Sequence, residues 1–183
     1  PMLVAKKAYS REEIRRLRIA VPGRMTSAFL ALQLWLGRRA DEFDCIVVPF
    51  DQIFEAVKAD RADVGLIIHE GQLTYGDRQL KLIVDLGVWW ESVTGLPVPL
   101  GVIVARDDTA DSFGLDQLAQ WCRESLRHAW AHPEVSRDYI AEHADEMSPE
   151  VQQQHIELYV NEFSENLGEE GQRALEVLLN GPV

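Results

Sequence analysis

Cysteine, positive charge and long apolar runs are scarce in this chain of 183 residues. The two cysteines, Cys45 and Cys122, lie far apart in the sequence, which excludes a small disulfide-stapled domain and predicts two reduced thiols. Lys and Arg number 18 against 30 Asp and Glu, which gives a formal net charge of −12. Because an acidic surface repels phosphate groups, we expect neither nucleic acid nor an anionic membrane as a partner.

Several sequence signals of particular protein classes are also missing. No apolar run is long enough to span a bilayer, and no secretory signal opens the chain. Together with the reduced thiols, these absences predict a cytoplasmic protein. The chain has no phosphate-binding loop of the Walker type, no dinucleotide-binding glycine pattern and no nucleophile elbow. Its composition, with 46% hydrophobic and 26% charged residues, is that of an ordinary globular protein.

Strand-like and helix-like segments alternate along the first half, which predicts an α/β fold with parallel strands joined by helices. Strands are predicted at 2–5, 18–21, 45–48, 63–68, 80–86 and 101–105. Helices are predicted at 11–17, 27–36, 52–59 (capped by Asp51), 115–132, 134–144, 149–166 and 169–179. We therefore predict a small α/β lobe at residues 6–97. Residues 1–5 and 98–183 then supply connecting strands and the mainly helical part of a larger lobe.

The most informative segment is the apolar run at 65–68, which ends abruptly at His69 and Glu70. A run without polar breaks predicts a strand buried on both faces, and ligands bind at the carboxyl ends of such strands. Histidine transfers protons near neutral pH, so His69 is either a catalytic base or a histidine satisfied by nearby backbone. Glu70 either orients His69 or is solvated. Leu73 replaces the second histidine that a zinc-protease motif requires.

A second candidate site is the strand-to-helix turn at 22–28. Backbone N–H groups at a helix start, the positive end of the helix dipole and the hydroxyls of Thr26 and Ser27 favour a bound carboxylate or phosphate. The alternative is an ordinary turn with a Ser/Thr cap.

Histidine and tryptophan pairs give weaker signals. His128 and His132 follow Glu124 at helical spacing, which can hold a metal. No further ligand completes a tetrahedral set, and a helix C-terminus favours cationic residues, so we interpret the pair as structural. Trp89 and Trp90 either line an aromatic pocket or belong to the core, and we predict that at least one is core.

Five segments resemble one enzyme family, the 1,4-dihydroxy-6-naphthoate synthases of the futalosine route to menaquinone. They are residues 18–28, 65–75, 84–87, 89–91 and 94–101. The resemblance extends over nearly the whole chain, and the segment at 65–75 is long and specific.

The resemblance implies a two-lobed fold of the type II periplasmic-binding-protein kind, with a complete small lobe, a partial large lobe and a helical C-terminal tail. It implies a lyase that converts cyclic dehypoxanthine futalosine to 1,4-dihydroxy-6-naphthoate without a metal or redox cofactor. His69 corresponds to the family's general base. The substrate-binding positions that we predict are Thr26, Ser27, Ala28, Ile68, Glu70 and Gln72.

Family members have a further segment before the position of Pro1, so we expect this chain to lack strands of the large lobe and one wall of the cleft. Besides a small carboxylate-bearing substrate, the expected partner is a second copy of the chain or a complementing N-terminal chain. Two alternatives stay open. One is a chorismate dehydratase of the same fold and pathway, against which the His-Glu-Gly-Gln run at 69–72 argues. The other is a non-catalytic binding module for a small aromatic or organic acid.

Overall fold

The computed structural model describes residues 1–69, 71–144 and 148–181. The chain divides into two compact units, Pro1–Leu100 with the stretch from Glu169 onward, and Gly101–Gly168. In the described ranges, no helix is long and apolar enough to cross a membrane.

The first unit is built on a mixed five-stranded sheet with the strand order β3-β2-β4-β1-β5. The strands are β1 (Met2–Ala5), β2 (Ile19–Val21), β3 (Cys45–Val47), β4 (Val64–Ile67) and β5 (Lys81–Asp85). Strands β2, β3 and β4 are parallel, as predicted. Strand β1 lies between β4 and β5 and is antiparallel to both, a direction that the sequence pattern does not reveal.

Short helices connect the strands of this unit. They are α1 (Arg11–Ile14), α2 (Ser27–Leu36), α3 (Ile53–Lys58), α4 (Gly71–Thr74) and α5 (Leu86–Thr94). The predicted capping box at the start of α1 is formed by Ser10 and Glu13, although α1 ends earlier than predicted. Asp51 does not cap α3, because it lies inside a 3-10 turn, Phe50–Gln52, that precedes this helix.

The two faces of β4 are both buried, as its uninterrupted apolar run predicted. Val64 and Leu66 belong to an apolar cluster with residues of α2, and Ile67 belongs to a second cluster with residues of α3. Gly65 is needed for the close approach of α3. A Cβ atom at this position would lie 2.7 Å from Cγ2 of Ile53.

Replacing Gly65 with alanine is expected to lower the free energy of unfolding by about 1–3 kcal/mol, because α3 must move away from β4. Gly76→Ala is the matched control, since a Cβ atom at Gly76 would meet nothing within 4 Å. Urea unfolding followed by circular dichroism measures both. Equal losses in the two variants would show that the contact between α3 and β4 is not the cause.

The second unit is helical. It contains α6 (Asp107–Phe113), α7 (Leu115–Ala131), α8 (Pro133–His143), α9 (Pro149–Tyr159) and α10 (Glu162–Glu165). The single helix predicted at 149–166 is wrong, because Asn161 accepts a hydrogen bond from the Phe163 N–H and starts a new helix. Helix α11 (Gly168–Asn180) begins at the end of this unit, and its Ala174 and Leu178 are buried.

The strand predicted at 101–105 is not formed. These residues are exposed and have no regular secondary structure. A strand exists only when a neighbouring strand accepts and donates its hydrogen bonds, and the described residues of this unit contain none. The predicted lobe boundaries at residues 6 and 97 stay a prediction.

Candidate functional site

The loops after three parallel strands leave the sheet at the same edge. Strands β3, β2 and β4 are adjacent, and Val21 pairs with Val47 while Ala20 pairs with Gly65. Strands β2 and β3 therefore end at the same level, and β4 ends one residue further along in the same direction. In open α/β sheets this edge is where ligands bind. It carries the turn at 22–26, the 3-10 turn after β3, and His69.

His69 turns the chain from β4 toward α4. Its backbone has φ 55°, in the left-handed region that few residues other than glycine adopt and that clusters at functional sites. Its carbonyl accepts hydrogen bonds from the backbone N–H of Gln72 at 3.2 Å and from Nε2 of Gln72 at 3.3 Å. Its side chain is half-buried. The imidazole is thus held on a fixed backbone at the ligand edge of the sheet.

Phe50 is a site residue that the sequence analysis missed. Its ring packs edge-on against the imidazole of His69, with 4.9 Å between the ring centroids and an interplanar angle of 61°. Phe50 itself is 40% exposed. The available signal was its position, three residues after the end of β3 at the edge that also holds His69.

At the start of α2, the hydroxyl groups bind the protein's own backbone. Thr26 is the N-cap residue, and its Oγ1 accepts from the Phe29 N–H at 3.1 Å and donates to the Gly23 carbonyl at 3.0 Å. Oγ of Ser27 donates to the Leu100 carbonyl at 2.6 Å. In the described part of the chain, the backbone N–H groups of Ser27 and Ala28 are the donors left at the positive end of the helix dipole.

The other predicted site residues occupy different surroundings. Ile68 is half-buried and packs against the apolar cluster that includes Leu66. Gln72 supports the backbone of His69, as described above. Glu70 lies outside the described residues.

The aromatic and histidine pairs are explained by packing. Trp90 is fully buried and its Nε1 donates to the Pro97 carbonyl at 3.1 Å, which confirms that at least one of the two tryptophans is core. Trp89 is half-buried against the same core. The rings of His128 and His132 lie 4.7 Å apart between centroids. Within the described ranges, no group of three or more His, Cys, Asp or Glu side chains has a metal-binding arrangement.

Comparison with known proteins identifies the family. The family model described as menaquinone biosynthesis matches residues 1–181. The chain belongs to the menaquinone biosynthesis family. The resemblance expected from the segments around 18–28 and 65–75 is therefore confirmed at the level of the family.

Two curated members of this family are close in sequence. A 1,4-dihydroxy-6-naphthoate synthase from Streptomyces coelicolor is 41% identical over 181 residues, which is 98% of this chain and 63% of that protein. A protein of the same name from Thermus thermophilus is 43% identical over 175 residues, 96% of this chain and 62% of that protein. The chain thus spans less than two thirds of the length of these family members.

Solved structures place the family in a known fold. A protein from Archaeoglobus fulgidus matches 98% of this chain and 65% of its own length, with a TM-score of 0.84 and 33% identity. A ligand-binding component of an ABC-type import system from Staphylococcus aureus matches 84% of this chain and 54% of its own, with a TM-score of 0.58 and 15% identity. A periplasmic sulfonate-binding protein from Methylobacillus flagellatus matches all of this chain and 52% of its own, with a TM-score of 0.56 and 17% identity. The predicted α/β fold of the periplasmic-binding-protein kind is confirmed.

Proposed function

We propose that this chain carries the base-bearing part of a 1,4-dihydroxy-6-naphthoate synthase, a lyase that converts cyclic dehypoxanthine futalosine to 1,4-dihydroxy-6-naphthoate in menaquinone biosynthesis. The observation that carries the proposal is the 41–43% identity to two proteins of that name over nearly the whole chain. The positions of His69 and of the start of α2 at the carboxyl edge of the sheet support it, because the reaction needs a proton acceptor beside a binding site for a carboxylate.

In this proposal His69 is the general base. A neutral imidazole accepts the proton next to the activated centre of the substrate, and the electron pair left behind drives release of the sugar-derived fragment. The edge-on ring of Phe50 restricts rotation of the imidazole. The two hydrogen bonds from Gln72 hold the backbone from which it projects. Positioning of this kind lowers the entropic part of the barrier.

The proposed binding site for the substrate carboxylate is the start of α2. The backbone N–H groups of Ser27 and Ala28 point toward the N-terminal end of a helix of ten residues, where the dipole favours an anion. The hydroxyls of Thr26 and Ser27 fix this turn instead of contacting the substrate. The proposed substrate is small and carries a carboxylate. The proposed enzyme uses no metal or redox cofactor and is located in the cytoplasm.

The proposed activity is tested by product formation. The chain is assayed alone and co-expressed with the part of the Thermus thermophilus relative that it does not match, with cyclic dehypoxanthine futalosine and, separately, with chorismate. We expect 1,4-dihydroxy-6-naphthoate from the first substrate and no turnover of chorismate. Turnover of chorismate would instead indicate a dehydratase. Calorimetric binding of the naphthoate by a co-eluting complex that forms no product would indicate a binding module.

A further inference from the structure

We propose that Phe50 determines which ligands the candidate site prefers, because the exposed part of its ring contacts the ring of a bound carboxylate ligand. The preferred ligands are then flat aromatic carboxylates, and saturated carboxylates of the same size bind less tightly. This inference deepens the proposed function and rests on it for the location of the site.

The first observation is the position of Phe50 relative to the strands. Phe50 follows β3 and His69 follows β4, and the strand order places β2 between these two strands. The Val48 N–H donates to the Val21 carbonyl at 3.1 Å, so the chain after β3 stays beside β2 up to its end. The rings of Phe50 and His69 nevertheless touch, with 4.9 Å between their centroids. Their contact therefore spans the carboxyl end of β2, where the turn toward the proposed carboxylate site begins.

The second observation is that the ring of Phe50 is held in place but not covered. One side of the contact is fixed by the edge-on packing against the imidazole of His69. The backbone is fixed by the 3-10 turn that Phe50 begins, in which the Gln52 N–H donates to the Pro49 carbonyl at 2.9 Å. Phe50 is still exposed, although phenylalanine is usually buried. The open part of the ring can therefore contact a second ring, with centroids about 4.5–7 Å apart.

The third observation is a concentration of exposed apolar side chains at this edge of the sheet. Met25 is 100% exposed in the turn after β2, two residues before Ser27. Val47 ends β3, and Leu73 lies in α4, which follows β4. Several apolar side chains left exposed at one edge indicate a binding surface. The other exposed large apolar side chains described in the first unit lie on β5, α5 and α11, and they are Leu82, Val88, Val93 and Leu179.

Phe50 supplies a selectivity that the proposed carboxylate site lacks. The backbone N–H groups of Ser27 and Ala28 bind any carboxylate, so they do not distinguish one acid from another. A flat aromatic ring forms an offset or edge-on pair with Phe50, and such pairs are worth more than the area that they bury. A saturated ring buries a similar area without this additional term. Preference for aromatic over saturated acids is therefore expected to depend on the ring at position 50.

The test compares two acids with the same carbon skeleton, 2-naphthoate and decahydro-2-naphthoate, by calorimetry. The protein is the chain co-expressed with the unmatched part of the Thermus thermophilus relative. We expect Phe50→Leu to weaken binding of 2-naphthoate about 3- to 10-fold and to change binding of decahydro-2-naphthoate less than about twofold. Phe50→Tyr keeps a ring and should retain the preference. A substitution that only loosened the site would weaken binding of both acids equally.

Phe113→Leu is the matched control. Phe113 is also an exposed phenylalanine whose ring packs edge-on against an aromatic neighbour, with 5.6 Å between the centroids of Phe113 and Trp121 and an interplanar angle of 63°. It lies on α6 in the second unit. We expect Phe113→Leu to leave both affinities unchanged.

Three results would overturn the inference. The first is failure to bind 2-naphthoate, or equal affinity for the two acids. The second is a Phe50→Leu variant that keeps the preference or weakens binding of both acids equally. The third is the same change of preference in Phe113→Leu.

Product formation separates this inference from the proposed function. Conversion of cyclic dehypoxanthine futalosine by a preparation that gives one of these three results would leave the proposed function standing. A preference that depends on Phe50 in a preparation that forms no product would overturn the proposed function and support this inference.

Discussion

Replacing His69 with alanine is expected to lower kcat for cyclic dehypoxanthine futalosine by about 10²- to 10⁴-fold and to leave the affinity for the naphthoate product nearly unchanged. General-base catalysis contributes rate factors of this size. Product affinity depends in this account on the start of α2, which the substitution does not touch. Steady-state kinetics and calorimetry on the chain co-expressed with the unmatched part of the Thermus thermophilus relative measure the two quantities separately.

The backbone at position 69 calls for a second variant. Alanine is strained at φ 55°, whereas asparagine adopts the left-handed region more readily. His69→Asn is therefore expected to keep the fold and the product affinity and to lose kcat as alanine does. The exposed His143 supplies the control, and His143→Ala should retain full turnover. Normal turnover by His69→Asn would remove His69 from the role of base.

Replacing Trp90 with alanine is expected to lower the free energy of unfolding by about 3–5 kcal/mol. Trp90 is fully buried and is the largest fully buried side chain of the described core, so alanine leaves a large cavity. Alanine also removes the indole N–H that binds the Pro97 carbonyl. Circular dichroism during urea unfolding measures the change without relying on tryptophan fluorescence.

Two further variants test whether the loss of stability comes from the buried position of Trp90. Trp90→Phe keeps a ring in the cavity and loses the hydrogen bond, so we expect a loss of about 1–3 kcal/mol. Trp130 is 44% exposed on α7, so Trp130→Ala should cost clearly less than Trp90→Ala. Comparable losses at positions 90 and 130 would contradict the assignment of Trp90 to the core.

The local parts of the site were predictable from the sequence. The apolar run at 65–68 has no polar break because β4 is covered on both faces, and this signal located His69 at the end of a strand. The sequence placed the helix cap at Thr26 or Ser27, because short hydroxyl side chains stand before an apolar helix pattern, and the structure shows that Thr26 is the cap. Both signals depend only on residues that are close together along the chain, so the sequence alone reveals them.

The non-local parts were not predictable. The contact of Phe50 with His69 arises from the strand order, which brings together the loops after β3 and β4. The engagement of the Ser27 hydroxyl by the Leu100 carbonyl, 73 residues away, likewise follows from the tertiary fold. Residues 101–105 have the composition of a strand, but a strand also needs a partner, and no local pattern can state whether one is present.

The most direct test is a crystal structure with 1,4-dihydroxy-6-naphthoate bound. The crystallised protein is the chain co-expressed with the unmatched part of the Thermus thermophilus relative. The account predicts that the product carboxylate accepts hydrogen bonds from the backbone N–H groups of Ser27 and Ala28, with the aromatic ring facing the imidazole of His69. A product molecule bound away from the carboxyl edge of β2 and β4, or one whose ring does not approach His69, would contradict it.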